Sequence, residues 1–129
     1  MFFRIDFTNG LAIYEQVVRQ IKFAVAGDVL SAGELVPSVR EVARELAINP
    51  NTVARAYREL QADGVLESVR GTGLAVAAGA AERCRQERVR LIRTRLQQVL
   101  TEAKQSRLDA AALRALVENE LAVIENEEA

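Results

Sequence analysis

The sequence predicts a mainly α-helical fold carrying one small β-hairpin, and three observations predict it. Two helix-start signals lie almost back to back, Ser38 with Glu41 three residues on and then Asn49 followed by Pro50, so two short helices must meet across a tight turn. Behind them the glycine-rich Arg70-Gly71-Thr72-Gly73 separates two short apolar runs, the pattern of a hairpin tip. From Ala80 onward the chain becomes charged, with apolar residues recurring every three or four positions. Helix, tight turn, helix and hairpin in that order describe a winged helix-turn-helix over residues 1–79, followed by a two-helix tail over 80–129.

Phe2 to Phe7 alternates enough for a short strand or an extended arm packed on the core. In the first helix, Ile13 to Ala26, Tyr14, Val17, Val18, Ile21 and Val25 form the apolar stripe and Gly27 is the natural stop. The second helix opens on a capping box, Ser38 and Glu41 each satisfying a backbone N–H of the first turn. It runs to about Leu46, burying Val39, Val42, Ala43 and Leu46 and leaving Arg40 and Arg44 outside. Only Ala47-Ile48 intervenes before Asn49 caps the third helix, with Pro50 at the first position, where no N–H is needed. That helix ends near Asp63 with Gly64 as its cap, and Val65–Val69 and Leu74–Ala78 read as the two strands of the wing.

In the tail, Val89, Ile92, Leu96, Val99 and Ala103 recur with a period near 3.5, the spacing of a helix-packing seam. Ser106–Asp109 breaks the pattern. A second amphipathic helix follows, with Leu113, Leu116, Val117, Leu121 and Ile124 inward and Glu125–Ala129 frayed. Two such helices expose more apolar surface than they can hide from each other, and a second copy of the chain is the simplest cover. The expected dimerisation residues are Val89, Ile92, Leu96, Val99, Leu113, Leu116, Val117 and Leu121.

Composition narrows the function. With 129 residues, half of them apolar, the chain can bury one compact core, and no apolar block is long enough for a signal peptide or a membrane span. A cytoplasmic protein without membrane attachment is expected. There is no histidine and no nucleophile-and-base or paired-carboxylate constellation, so an enzyme is not expected, nor a cofactor or metal. The lone Cys84 excludes an internal disulfide and receives no role. Net charge is -1 and the isoelectric point about 5.6, so nucleic-acid binding has to rest on local geometry rather than on a global basic excess.

That local geometry lies on the third helix. At about 100° per residue Val53, Ala56, Tyr57 and Leu60 share one face, while Asn51, Thr52, Arg55 and Arg58 gather on the other. A solvated helix surface gives the same periodicity. Asparagine and arginine near the amino-terminal end are, however, the side chains that pair bidentately with adenine and guanine edges in a major groove. Arg55 can read a base, grip a phosphate, or pair with Glu59 within its own helix. The arginines Arg83, Arg85, Arg88, Arg90, Arg93 and Arg95 either bind phosphate or flank the dimer seam.

Leu35 to Ala43, the string Asn49-Pro50-Asn51-Thr52-Val53-Ala54-Arg55-Ala56-Tyr57-Arg58-Glu59-Leu60, Asp63-Gly64 and the wing Arg70–Gly73 together resemble the DNA-binding domain of the GntR family over about residues 11 to 77. The Asn-Pro-Asn-Thr string and the short tail are similar to its YtrA-like branch. The resemblance implies a repressor that binds a palindromic double-stranded operator as a homodimer, with Arg40, Asn51 and Thr52 on the DNA. The wing glycine, Gly71 here, comes close to the minor groove; a plain tight turn also calls for glycine there. The full expected DNA-contacting set is Ser38, Arg40, Asn51, Thr52, Arg55, Arg58, Arg70, Gly71 and Thr72. Two departures remove base contacts: Pro50 and Ala54 stand where many relatives carry arginine. Leu74-Ala75 replaces a common aromatic. The rival reading is a winged-helix and coiled-coil assembly module that binds protein through the same helix. A small-molecule sensor would need a pocket that a two-helix tail cannot enclose alone. No effector is indicated.

Overall fold

The computed structural model describes residues 3–128, which form α1 (Ile13–Ala26), α2 (Val39–Leu46), α3 (Pro50–Ala62), β1 (Leu66–Val69), β2 (Gly73–Val76), α4 (Ala80–Gln105) and α5 (Ala110–Glu128). The mainly helical fold with one hairpin is as the sequence predicts. Two compact units divide the chain, Met1–Val89 and Arg90–Ala129.

In the first unit the α1 stripe packs on the apolar face of α3. Val17, Ile21 and Val25 are fully buried, as are Val53, Ala56 and Leu60, with Val42 of α2 closing the cluster. Each such valine, leucine or isoleucine contributes roughly 1.5–3 kcal/mol of burial. The capping box of α2 forms as read: the Glu41 N–H donates to Ser38 Oγ at 3.1 Å and the Ser38 N–H to Glu41 Oε1 at 3.3 Å. Asn49 Oδ1 accepts the Asn51 N–H at 2.9 Å to open α3. Between them Ala47 takes the left-handed conformation, φ 55°, in which a Cβ is disfavoured.

The wing pairs Leu66 with Val76 through Val69 with Gly73, and its three-residue loop is closed by the Thr72 N–H on the Val69 carbonyl at 3.0 Å. The strands are shorter than expected. Val65 is drawn off because its N–H caps α3 through the Leu60 carbonyl, while Gly73 joins β2 instead of the tip. A segment not foreseen as extended completes the sheet edge: Val36 N–H donates to the Leu74 carbonyl and Val76 N–H to the Glu34 carbonyl, both at 2.9 Å. This ties the wing to the loop that precedes α2.

The amino-terminal residues form an arm rather than a strand; Phe2 lies outside the described residues and Phe3 is buried. Two glutamines one helical turn apart hold it. Gln16 accepts the Asp6 N–H at 2.8 Å and donates to the Asp6 carbonyl at 2.7 Å, and Gln20 does the same for Arg4. The rise of one helical turn, about 5–6 Å, matches the two-residue repeat of an extended chain closely enough for both amides to serve as a ladder.

Ala80 and Cys84 are fully buried in the first unit, so its core runs past the composition change at Gly79 into the first turns of α4. In the second unit Ala103 is buried and Leu113 half-buried, but the inward placement expected for Leu116, Val117, Leu121 and Ile124 does not hold within one chain. No residue of α5 is buried, because α4 alone offers too little surface to cover it. The fraying expected at Glu125 is also absent: α5 continues to Glu128, and Ala129 lies outside the described residues.

Two stability outcomes follow. A chain ended after Val89 should keep a cooperative urea transition, whereas one ended after Gly79 loses Ala80, Cys84 and the side chains that tie α4 to α3. Its transition should broaden or vanish, and equal midpoints would contradict the placement of the core. Ala47→Gly should raise stability by about 1 kcal/mol, since glycine accepts the left-handed cap without the Cβ penalty.

Candidate nucleic-acid interface

The exposed face of α3 is where the pattern places it: Asn51, Arg55 and Arg58 are exposed and Thr52 is half-buried at its edge. Arg40 on α2 and Arg70 at the wing tip are also exposed. Among the described residues, Arg40, Arg58 and Arg70 have no acidic partner. Ser38 caps α2 with its Oγ as acceptor, which leaves its hydroxyl proton to donate. The start of α2 and the wing face each other across a cleft of about 550 Å³ lined by Ser38, Glu41, Tyr57, Thr72 and Leu74. Gly71 has φ 76°, and a Cβ there would meet nothing within 4 Å, so the turn's backbone conformation requires glycine and the fold's own packing does not.

Tyr57 sets the angle between the two helices. Its hydroxyl donates to the Pro37 carbonyl at 2.6 Å, and burial, with the nearby charge of Glu41, pushes the phenol above its ordinary pKa. At the other end of α3, Lys22 of α1 is buried with its Nζ at 2.8 Å from both Asp63 Oδ2 and Glu87 Oε1. Burial works against that ammonium, but the two carboxylate hydrogen bonds and charges outweigh it and hold its pKa above the usual lysine value. Arg83 donates to the carbonyls of Asp63 and Gly64, the latter at 2.7 Å, so α4 caps the end of α3. Burial pushes the neighbouring Cys84 thiol up and keeps it protonated.

Arg55 lies with its guanidinium carbon 3.7 Å from the centroid of the Tyr14 ring, a partner the sequence pattern did not indicate. Lys22 was missed as well; its signal was a lysine inside the apolar stripe of α1, between Ile21 and Val25. Of the arginine cluster, Arg83 caps α3 and Arg85 pairs with Glu82 and, at 3.5 Å, with Asp28. Among the described residues no helix is long and apolar enough to cross a membrane.

Lys22 and Tyr57 both bind their proton more tightly in the folded chain, so the unfolded chain releases protons first above about pH 10. Their stabilisation is complete below that pH and is lost as pH rises through the folded values. The urea midpoint should stay flat from pH 7 to 9 and fall above about 10. Lys22→Met should cost about 1–3 kcal/mol at pH 7 and flatten the alkaline fall. A parental slope in that variant would contradict the role of the ion triad.

Residues 13–76 match the family model described as bacterial regulatory proteins, gntR family. Over 100 residues the chain is 34% identical to the HTH-type transcriptional repressor YtrA of Bacillus subtilis (strain 168), spanning 78% of this chain and 77% of that one. The solved GntR family transcriptional regulator from Listeria monocytogenes is similar at a TM-score of 0.68 and 29% identity, over 88% of this chain and 98% of the other. AraR(DBD), solved in complex with operator ORX1, is similar at a TM-score of 0.50 and 25% identity, over 58% of this chain and 92% of that one. The family match and these similarities to transcription regulators show that the chain belongs to the GntR family of bacterial regulatory proteins as a DNA-binding transcription regulator.

Proposed function

We propose that this regulator acts as a repressor in the cytoplasm and binds a two-fold symmetric operator as a homodimer joined through α4 and α5. The observation that carries the reading is the uncovered apolar surface of those helices. Val89, Ile92, Leu96, Val99, Leu116, Val117 and Leu121 are each between 41% and 57% exposed in the single chain, too much continuous apolar surface to leave in water. A second copy fits it electrostatically. In α4 seven basic side chains stand against three acidic ones, while α5 carries one basic and five acidic, so α4 of one chain and α5 of another complement each other. Repression is supported by the similarity to YtrA, named a transcriptional repressor.

In this reading Asn51, Thr52, Arg55 and Arg58 enter the major groove, Arg40 approaches from α2, and Arg70, Gly71 and Thr72 reach the adjacent minor groove.

Sedimentation at micromolar concentration should report twice the chain mass of 14.2 kDa. Footprinting on the DNA upstream of its own gene should show two half-sites with centres roughly 10 base pairs apart. Leu116→Glu combined with Leu121→Glu should give a folded monomer whose operator affinity falls by about 10²-fold or more, because each half-site then binds untethered. A stable parental monomer protecting one half-site would overturn the proposal.

A further inference from the structure

We infer that Tyr14, on α1, is a positioning residue for DNA reading: its ring holds the Arg55 guanidinium in the orientation that a base edge requires. This rests on the placement of Arg55 among the reading side chains above. The guanidinium carbon is 3.7 Å from the ring centroid, a stacked cation–π contact.

The surroundings of the pair leave the guanidinium available. Arg55 is exposed, Tyr14 is half-buried, and among the described residues Arg55 has no acidic partner, Glu59 included. Stacking occupies one flat face of the guanidinium and leaves its in-plane N–H donors open, and those donors form the fork that matches the O6 and N7 acceptors of guanine. An arginine free in solvent must give up its rotamers when it binds, whereas a stacked one has already lost part of that freedom. Tyr14 reaches this position because the α1 stripe of Tyr14, Val17, Ile21 and Val25 overhangs the apolar face of α3, so its first ring meets the polar flank of that helix. The demand on Arg55 is high. It is the only basic residue between Pro50 and Tyr57.

The test uses the full-length chain and a pool of randomised duplexes. If the parent enriches no sequence, DNA reading itself is at fault, which separates that failure from failure of the Tyr14 role. With an enriched duplex in hand, affinities are compared on it, on its single-base variants and on a scrambled duplex of equal length. Tyr14→Leu should weaken the enriched duplex about two- to fivefold per half-site. It should also relax preference at the same base pair as Arg55→Ala, add no further loss in the Arg55→Ala background, and spare the scrambled duplex. Tyr14→Phe, which keeps the ring, should restore both affinity and preference. Circular dichroism checks folding, and Tyr14→Met serves if the leucine variant unfolds. Losses that multiply in the double variant, an unchanged base preference in Tyr14→Leu, or a Tyr14→Phe loss equal on enriched and scrambled duplexes would each overturn the assignment.

Discussion

In the function proposed for α3 one side has to stay bare for DNA, so the helix can be held from the other side only, and the rest of the fold answers to that constraint. The thirteen residues of α3 are at the length where an isolated helix is marginal in water. Val53, Ala56, Tyr57 and Leu60 supply its whole buried face, against α1 and α2. Because no second face can pack, its two ends are pinned by polar contacts. Asn49 and the Tyr57–Pro37 hydrogen bond fix the front, while Lys22 and Arg83 fix the back through Asp63 and Gly64. The ion triad therefore serves position as much as stability: a lysine shared between the carboxylate that caps α3 and one in the first turns of α4 ties both to α1.

What could be read in the sequence was local. Caps obey spacing rules of two or three residues, and Ser38 with Glu41 and Asn49 with Pro50 appear in the structure as those rules require. The free face of α3 follows from helical period alone. What could not be read depends on residues far apart in the chain. Lys22 meets Asp63 and Glu87 across 41 and 65 residues, and no period relates them. The glutamine clamp on the arm is similar: Gln16 and Gln20 look like ordinary helix surface until their amides are seen to bond the backbone of Asp6 and Arg4. Tyr14 was legible as an apolar stripe residue and not as the partner of Arg55, because period assigns a side chain to a face without saying what that face meets. On the dimerisation residues, period identified the apolar positions of α5 correctly as a set, yet placing them inward presumed a neighbour that a single chain does not contain.

The bulk charge of the chain misleads in the same way. A net charge of -1 suggests indifference to polyanions, yet opposite charges are sorted onto separate elements, with the excess of arginine on α4 and that of glutamate on α5. If subunits join by matching these helices, ionic strength acts twice on the same equilibrium. Salt weakens the contacts to phosphate through counterion release, and it also screens the attraction that assembles the dimer. At concentrations near the dimer dissociation constant the dependence of operator affinity on salt would then be steeper than the number of phosphates touched accounts for. The excess would disappear once the protein is concentrated enough to stay paired.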